Sequence, residues 1–343
     1  MKENIKNLNL LISYWLLITT LLVALIIVVG GLTRLTDSGL SITRWDLFSG
    51  ILPPLTQTDW ENYFELYKKI PEFQLINFNM TLEQFKVIFF WEYTHRLLGR
   101  VLGLFYFIPL IIFSFFKGLN KKHTFNYYLI LLLILLQGFI GWYMVRSGLS
   151  ERTDVSHYRL SVHLTLAFVI FIFLFWNYLK LTKERTTINV DKFTSCLIKL
   201  FFLLIIFQIS LGALVSGLDA GKIYNTWPLM NDVFFPDDSL YEDLFKFSIL
   251  ENPSLLQFLH RTTAYAIFFI FILITILIFK NKNLIYLRRI SMTVFFFLIF
   301  QIFLGVLTVL SGAEILIASM HQIGSIILVS STLILVFESS KIN

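Results

Sequence analysis

Eight stretches of this chain are long, predominantly apolar and separated by short polar segments or by two long loops. They cover approximately 10–33, 87–116, 125–146, 158–179, 194–217, 254–279, 289–311 and 315–337. A bilayer core of roughly 30 Å takes about 20 apolar residues per helix, and in lipid a helix satisfies its own backbone. The spacing therefore predicts an all-α integral membrane protein with eight transmembrane helices. Composition agrees, since 57% of the 343 residues are hydrophobic and only 15% are charged, against about 25% charged in soluble proteins. A cytosolic enzyme and a disordered chain are excluded. The first run is long and no A-x-A-like site follows it, so it reads as a span and not as a cleaved signal.

The charges sort by side. With the N-terminus inside, the inner segments hold 14 Lys and Arg against four acids, and the outer segments hold ten against 17, with Glu92 inside span 2. This positive-inside bias predicts that both termini are cytoplasmic and that the loops 35–86 and 218–253 are outside. The net charge of +6 becomes a topology signal, and no nucleic-acid partner is expected. In the first loop, Thr58-Asp59-Trp60-Glu61 reads as a capping box, and Pro71 ends a short amphipathic helix over 59–69. Thr81-Leu82-Glu83-Gln84 reads as a second box, opening a helix that continues into span 2.

The two halves match in order. Gly30-Gly31-Leu32-Thr33-Arg34-Leu35-Thr36-Asp37-Ser38-Gly39 lies over the segment Gly212 to Gly221 at an offset of 182, which also pairs Trp45 with Trp227 and Pro54 with Pro236. His95-Arg96 falls on His260-Arg261. Gln137, Gly141, Ser147 and Gly148 fall on Gln301, Gly305, Ser311 and Gly312, and Ser161-Val162-His163 falls on Ser319-Met320-His321. Each copy holds four spans. The expected architecture is two tandem four-helix bundles, residues 1–185 and 186–343, related by a pseudo-two-fold axis along the membrane normal. The duplicated Asp37/Asp219 and Trp45/Trp227 pairs read as turn formers and interface anchors.

His95, His163, His260 and His321 each begin the membrane part of an even-numbered span. All four should lie at similar depth, toward the outer face. Histidine inside a membrane is costly and commonly functional. Two facing imidazoles within a four-helix unit suit the two axial positions of haem iron. Zinc wants a third or fourth ligand, and the single cysteine, Cys196, supplies neither a Cys site nor a disulfide. His123 and His157 read as bystanders. Arg96, Arg100 and Arg261 are candidates for haem propionates, with snorkelling to the interface as the competing reading.

Glu92 lies three residues before His95, on the same helical face, and Gln257 takes its place in the second half. Proton-transfer chemistry needs a titrating group near the reacting atom. That asymmetry assigns chemistry to the first half, where His95 and His163 are the haem-ligating pair. The second half holds a cofactor haem on His260 and His321.

These residues together resemble the haem A synthase family over nearly the whole chain. The resemblance rests on Gly30 to Ser41, on Glu92-Tyr93-Thr94-His95-Arg96-Leu97-Leu98-Gly99-Arg100, on His163, on Leu259-His260-Arg261 and on His321-Gln322. It implies oxidation of one methyl of haem O to a formyl group by successive hydroxylations, for cytochrome oxidase. It also implies a b-type haem in the C-terminal half and a requirement for the glutamate at Glu92. It further implies haem O synthase, oxidase assembly factors and a separate electron acceptor or donor as partners. The cysteine pair of some bacterial members is missing, which places the chain in the cysteine-free branch. The lack of an Arg-rich transit segment favours a bacterial plasma membrane. The oligomeric state, including a homo-oligomer, stays open. The rival readings are a non-enzymatic di-haem b-type cytochrome working with quinone, and a transporter with repeated halves, for which Pro109 is the one midplane helix interruption.

Overall fold

The computed structural model describes residues 2–44, 49–115, 121–149, 152–183 and 190–340. Trp45 and the Lys117 segment lie outside the described residues, and so does the side chain of His123. Every regular element among the described residues is helical, apart from one isolated bridge between Met230 and Val233. Eight helices are long and apolar enough to cross a membrane. They are α1 (Lys2–Leu35), α4 (Leu82–Phe115), α5 (Lys121–Gly148), α6 (His157–Thr182), α7 (Lys192–Gly217), α8 (Pro253–Lys280), α9 (Ile285–Leu310) and α10 (Ile315–Ser339). Two short helices, α2 (Gln57–Tyr67) and α3 (Pro71–Leu75), lie in the first long loop. The chain divides into two compact units, Met1–Leu174 and Phe175–Asn343.

In the first unit α1 packs along α4, and α4 contacts α5. Trp15 of α1 ties these helices together. Its ring stacks on Tyr106 at 4.7 Å and meets Phe113 and Tyr127 edge-on, and its indole N–H donates to the Phe105 carbonyl at 3.2 Å. An indole at membrane depth is satisfied here by another helix's backbone, which makes it an interhelical tie.

The helix α4 begins before its apolar stretch, as the Thr81 box predicts. The Thr81 N–H donates to Gln84 Oε1 at 2.9 Å, and the Gln84 N–H donates back to Thr81 Oγ1 at 3.4 Å. Its first turns carry a cap. Phe64 and Tyr67 of α2 pack on Phe85, which meets Phe89, and Phe73 of α3 packs edge-on against Phe64 and Tyr67. Tyr67 and Phe85 are fully buried. The α2 box is shifted from the sequence expectation. Thr56, and not Thr58, is the N-cap: its hydroxyl accepts from the Asp59 N–H, and Asp59 Oδ2 accepts from the Thr56 N–H, each at 3.1 Å. Pro53 and Pro54 favour extended backbone just before Thr56, so the earlier of two threonines caps the helix. Pro71 opens α3 at its N1 position, where proline's missing N–H costs nothing.

In the second unit α7 packs on α8 and α10, and α9 packs on α8 and α10. Phe201 and Phe271 meet across α7 and α8 at 4.5 Å. The duplicated aspartates form equivalent turns. Asp37 and Asp219 both adopt left-handed backbone, with φ of 47° and 51°, directly after α1 and α7. Asp is among the few L-residues that tolerate this region.

Candidate functional site

Each of the four membrane histidines rests against a glycine of a neighbouring helix. A Cβ built on Gly30 would stand 2.8 Å from His95 Cε1. The corresponding distances are 3.0 Å for Gly141 and His163, 3.1 Å for Gly212 and His260, and 3.0 Å for Gly305 and His321. Even an alanine would press on the imidazole, so these glycines are seats. They let a helix backbone approach a ring that would otherwise need a pocket.

Four residues before three of these seats stands a glutamine. Gln137 Nε2 donates to the His163 carbonyl at 3.0 Å, Gln208 to the His260 carbonyl at 2.7 Å, and Gln301 to the His321 carbonyl at 2.9 Å. Gln301 also lies 3.2 Å from His321 Nδ1. Gly324 leaves the space that the Gln301 amide fills. A helical carbonyl has a second lone pair, and the glutamine uses it without breaking the helix ladder. The motif Gln-x-x-x-Gly on one helix, with histidine on the next, thus occurs on α5, α7 and α9. On α1 the fourth instance reads Ile26-x-x-x-Gly30.

The His95 and His163 rings lie 6.4 Å apart between centroids, at 69° to one another. Two metal–imidazole bonds of about 2 Å, each extended by the roughly 1 Å half-width of a ring, span about 6 Å. All four imidazoles are partly accessible, while Nδ1 of His95, His163 and His260 is buried with no hydrogen-bond partner. The His260 and His321 side chains lie within electrostatic reach of each other. Among the described residues no three His, Cys, Asp or Glu side chains converge on one point, so a zinc site built from protein ligands does not fit. A planar macrocycle that brings four ligands of its own does fit the His95/His163 pair.

Glu92 is buried at 3% exposure, and the structure gives it a specific set of partners. Its Oε2 accepts from Ser41 Oγ at 2.7 Å and from the Ile42 N–H at 2.8 Å. Its Oε1 accepts from Arg96 Nε at 3.0 Å and Nη2 at 2.5 Å. These contacts hold the segment after α1 against α4 one turn before His95. Arg96 completes the clamp, donating from Nη2 to the Ile42 carbonyl at 2.8 Å and from Nη1 to the Arg44 carbonyl at 3.1 Å. The second unit repeats this arrangement. Arg261 donates from Nη2 to the Tyr224 carbonyl at 2.8 Å and from Nη1 to the Thr226 carbonyl at 2.9 Å. Tyr224 and Thr226 are the repeat equivalents of Ile42 and Arg44. Gln257 Nε2 donates to the Tyr224 carbonyl at 3.1 Å, where Glu92 accepts from the Ile42 N–H.

Both repeat-related arginines therefore clamp a loop backbone, a role that neither propionate binding nor snorkelling anticipates. Arg100, one turn further along α4, is half-buried. His157, read as a bystander, is 6% exposed, and its ring lies 4.1 Å from that of Tyr158, tilted by 38°. It is a packed residue at the start of α6. Sequence reasoning passed over the glycine seats and the glutamine ties. The signal was present in the ordered match of Gln137 and Gly141 with Gln301 and Gly305. Gln208 was hidden because its repeat partner is Ile26.

Known proteins resemble this chain over most of its length. The family model described as COX15-CtaA, cytochrome oxidase assembly protein, matches residues 13–333. A heme A synthase of Pelagibacter ubique is 48% identical over 336 residues, covering 96% of this chain and 97% of the relative. Heme A synthases of Rickettsia prowazekii and Orientia tsutsugamushi are 42% and 41% identical, covering 93% and 94% of this chain and 95% and 94% of the relatives. A match that runs through all eight apolar helices and all four seated histidines leaves one conclusion: the chain belongs to the haem A synthase family of cytochrome oxidase assembly proteins.

Proposed function

We propose that this chain oxidises one methyl group of haem O to a formyl group, giving haem A. The carbon exchanges two C–H bonds for one C=O whose oxygen comes from water, a four-electron oxidation by successive hydroxylations that releases four protons and passes the electrons to a separate acceptor. The observation that carries the reading is the His95/His163 pair, two glycine-seated imidazoles 6.4 Å apart in a chain of this family. In this reading His95 and His163 hold the substrate haem in an N-terminal four-helix half, residues 1–185. His260 and His321 hold a resident b-type haem in the C-terminal half, residues 186–343. The resident haem supplies a one-electron redox centre when bound.

The chain's own residues do the rest. The glycine seats fix the imidazoles in position. The Arg96 and Arg261 clamps hold the segments after α1 and α7. Glu92 is the acid of the substrate site, one turn from His95, and Ser41, Ile42 and Arg96 fix its carboxyl in place. Oxidation of a methyl group releases protons, and a carboxyl held there is placed to take them. We place the chain in a bacterial plasma membrane, with both termini cytoplasmic and the haem sites toward the outer face. Haem O synthase and oxidase assembly factors are the partners that supply substrate and take product.

The test is haem extraction from cells that express haem O synthase with and without this chain. A shift of extracted haem O to haem A supports the enzyme. Haem O alone in both, with a bound bis-histidine haem in the purified chain, identifies the electron-carrying cytochrome instead.

A further inference from the structure

The four histidine helices are not held alike. Gln137 ties the His163 carbonyl, Gln208 the His260 carbonyl and Gln301 the His321 carbonyl. The residue of α1 that stands where Gln208 stands on α7 is Ile26. Among the described residues no side chain donates to the His95 carbonyl. The seat itself is intact, since Gly30 touches the His95 ring as Gly212 touches that of His260. The tie between the helices also survives, but displaced. Thr33 of α1 reaches the Trp91 carbonyl at 3.3 Å, one turn before the histidine. The position equivalent to Thr33 in the second half is Val215. So the ties from α1 reach α4 beside Glu92 and at Phe105, on either side of His95, whereas α7 is tied to α8 at the histidine itself.

We propose that Ile26 makes His95 the releasable axial ligand, so that the N-terminal site exchanges its haem while the doubly tied C-terminal site retains its own. The inference rests on the assignment of substrate haem to His95 and His163 and resident haem to His260 and His321. A substrate site must let its ligand go after each turnover, and a cofactor site must not. An amide hydrogen bond across helices slows motion of the helix segment that carries the ligand. In apolar surroundings such a bond has few competitors. Ile26 and Gln208 are positioning residues, acting through the histidine that each faces.

The test uses the detergent-purified full chain loaded with haem b. Release is followed by transfer to excess apomyoglobin, and the remaining haem is read by its bis-histidine spectrum. The wild type should lose haem in a fast and a slow phase. Ile26→Gln should slow the fast phase roughly threefold to tenfold, the factor that one interhelical hydrogen bond is worth, and leave the slow phase unchanged. Gln208→Ile should speed the slow phase by a similar factor and leave the fast one. Ile26→Leu, which adds no donor, should behave as wild type. Unchanged phases in both Ile26→Gln and Gln208→Ile, with normal haem content, would overturn the inference alone. No bis-histidine haem in the wild-type chain would overturn the site assignment and this inference with it.

Discussion

Four glycines decide where four imidazoles sit. At Gly30 the space is tightest, with the hypothetical Cβ 2.8 Å from His95 Cε1. The nearest atom is a ring held by its own helix, so relief requires moving the imidazole. Gly103 lies two turns after His95 on the same helix and has nothing within 4 Å of its hypothetical Cβ. Gly30→Ala is expected to weaken or abolish the bis-histidine spectrum of the N-terminal site, and Gly103→Ala to leave it unchanged. Equal spectra from the two variants would show that the seat at Gly30 has no hold on His95. Glu92 presents a different case at the same scale. Glu92→Gln keeps an oxygen for the Ser41 and Ile42 donors and loses the ion pair with Arg96. Haem binding is expected to persist and haem A formation to stop. A normal haem A yield from that variant would remove Glu92 from the chemistry.

The cap formed by α2 and α3 carries its own titration. Glu72 of α3 is 5% exposed, and its Oε2 has no hydrogen-bond partner. Burial is the main cause that lifts its carboxyl from 4.5 to about 8, with the nearby Glu92, Asp37 and Asp154 adding to it and the Tyr67 hydroxyl opposing it. Between those values the folded chain binds a proton that the unfolded chain has released. Stability therefore falls as pH rises from about 4.5 to 8 and stays lower beyond. Glu72→Gln is isosteric with the protonated carboxyl and does not titrate. Thermal melting of the two proteins should nearly coincide at pH 5, and the variant should melt higher at pH 8. Parallel melting curves across that range would show that Glu72 does not couple to folding. The elements themselves were legible to unequal degrees. The eight long helices follow from apolar length alone, and the Thr81 box from four residues. The aromatic cap was not legible, because Phe64, Tyr67, Phe73 and Phe85 meet only through tertiary packing. The choice of Thr56 over Thr58 turned on the preceding prolines, a context wider than the capping motif.

At the scale of the whole molecule the two halves repeat one set of contacts, to which the proposed function gives two purposes. The ordered matches already showed that His95, His163, His260 and His321 are counterparts. The recurrence of the same contacts at equivalent residues deepens that relation. Arg96 and Arg261 clamp equivalent carbonyls, Asp37 and Asp219 turn the chain in the same unusual backbone conformation, and each histidine meets its glycine. What sequence matching conceals is function carried by mismatch. Glu92 against Gln257 was legible in the sequence match, whereas Ile26 against Gln208 gained meaning only from the contacts of Gln208 with the His260 carbonyl. A duplicated frame with separate ligand pairs predicts separable haem sites. On the proposed assignment, His260→Ala or His321→Ala should lose the haem that co-purifies with the chain, since each removes one of the two histidines that would hold it. His163→Ala should keep that resident haem and lose haem A formation. The measurement is the bis-histidine spectrum of each purified variant beside the haems extracted from the cells that made it. A resident haem that survives both C-terminal substitutions, or vanishes with His163→Ala, would reverse the assignment of the two halves.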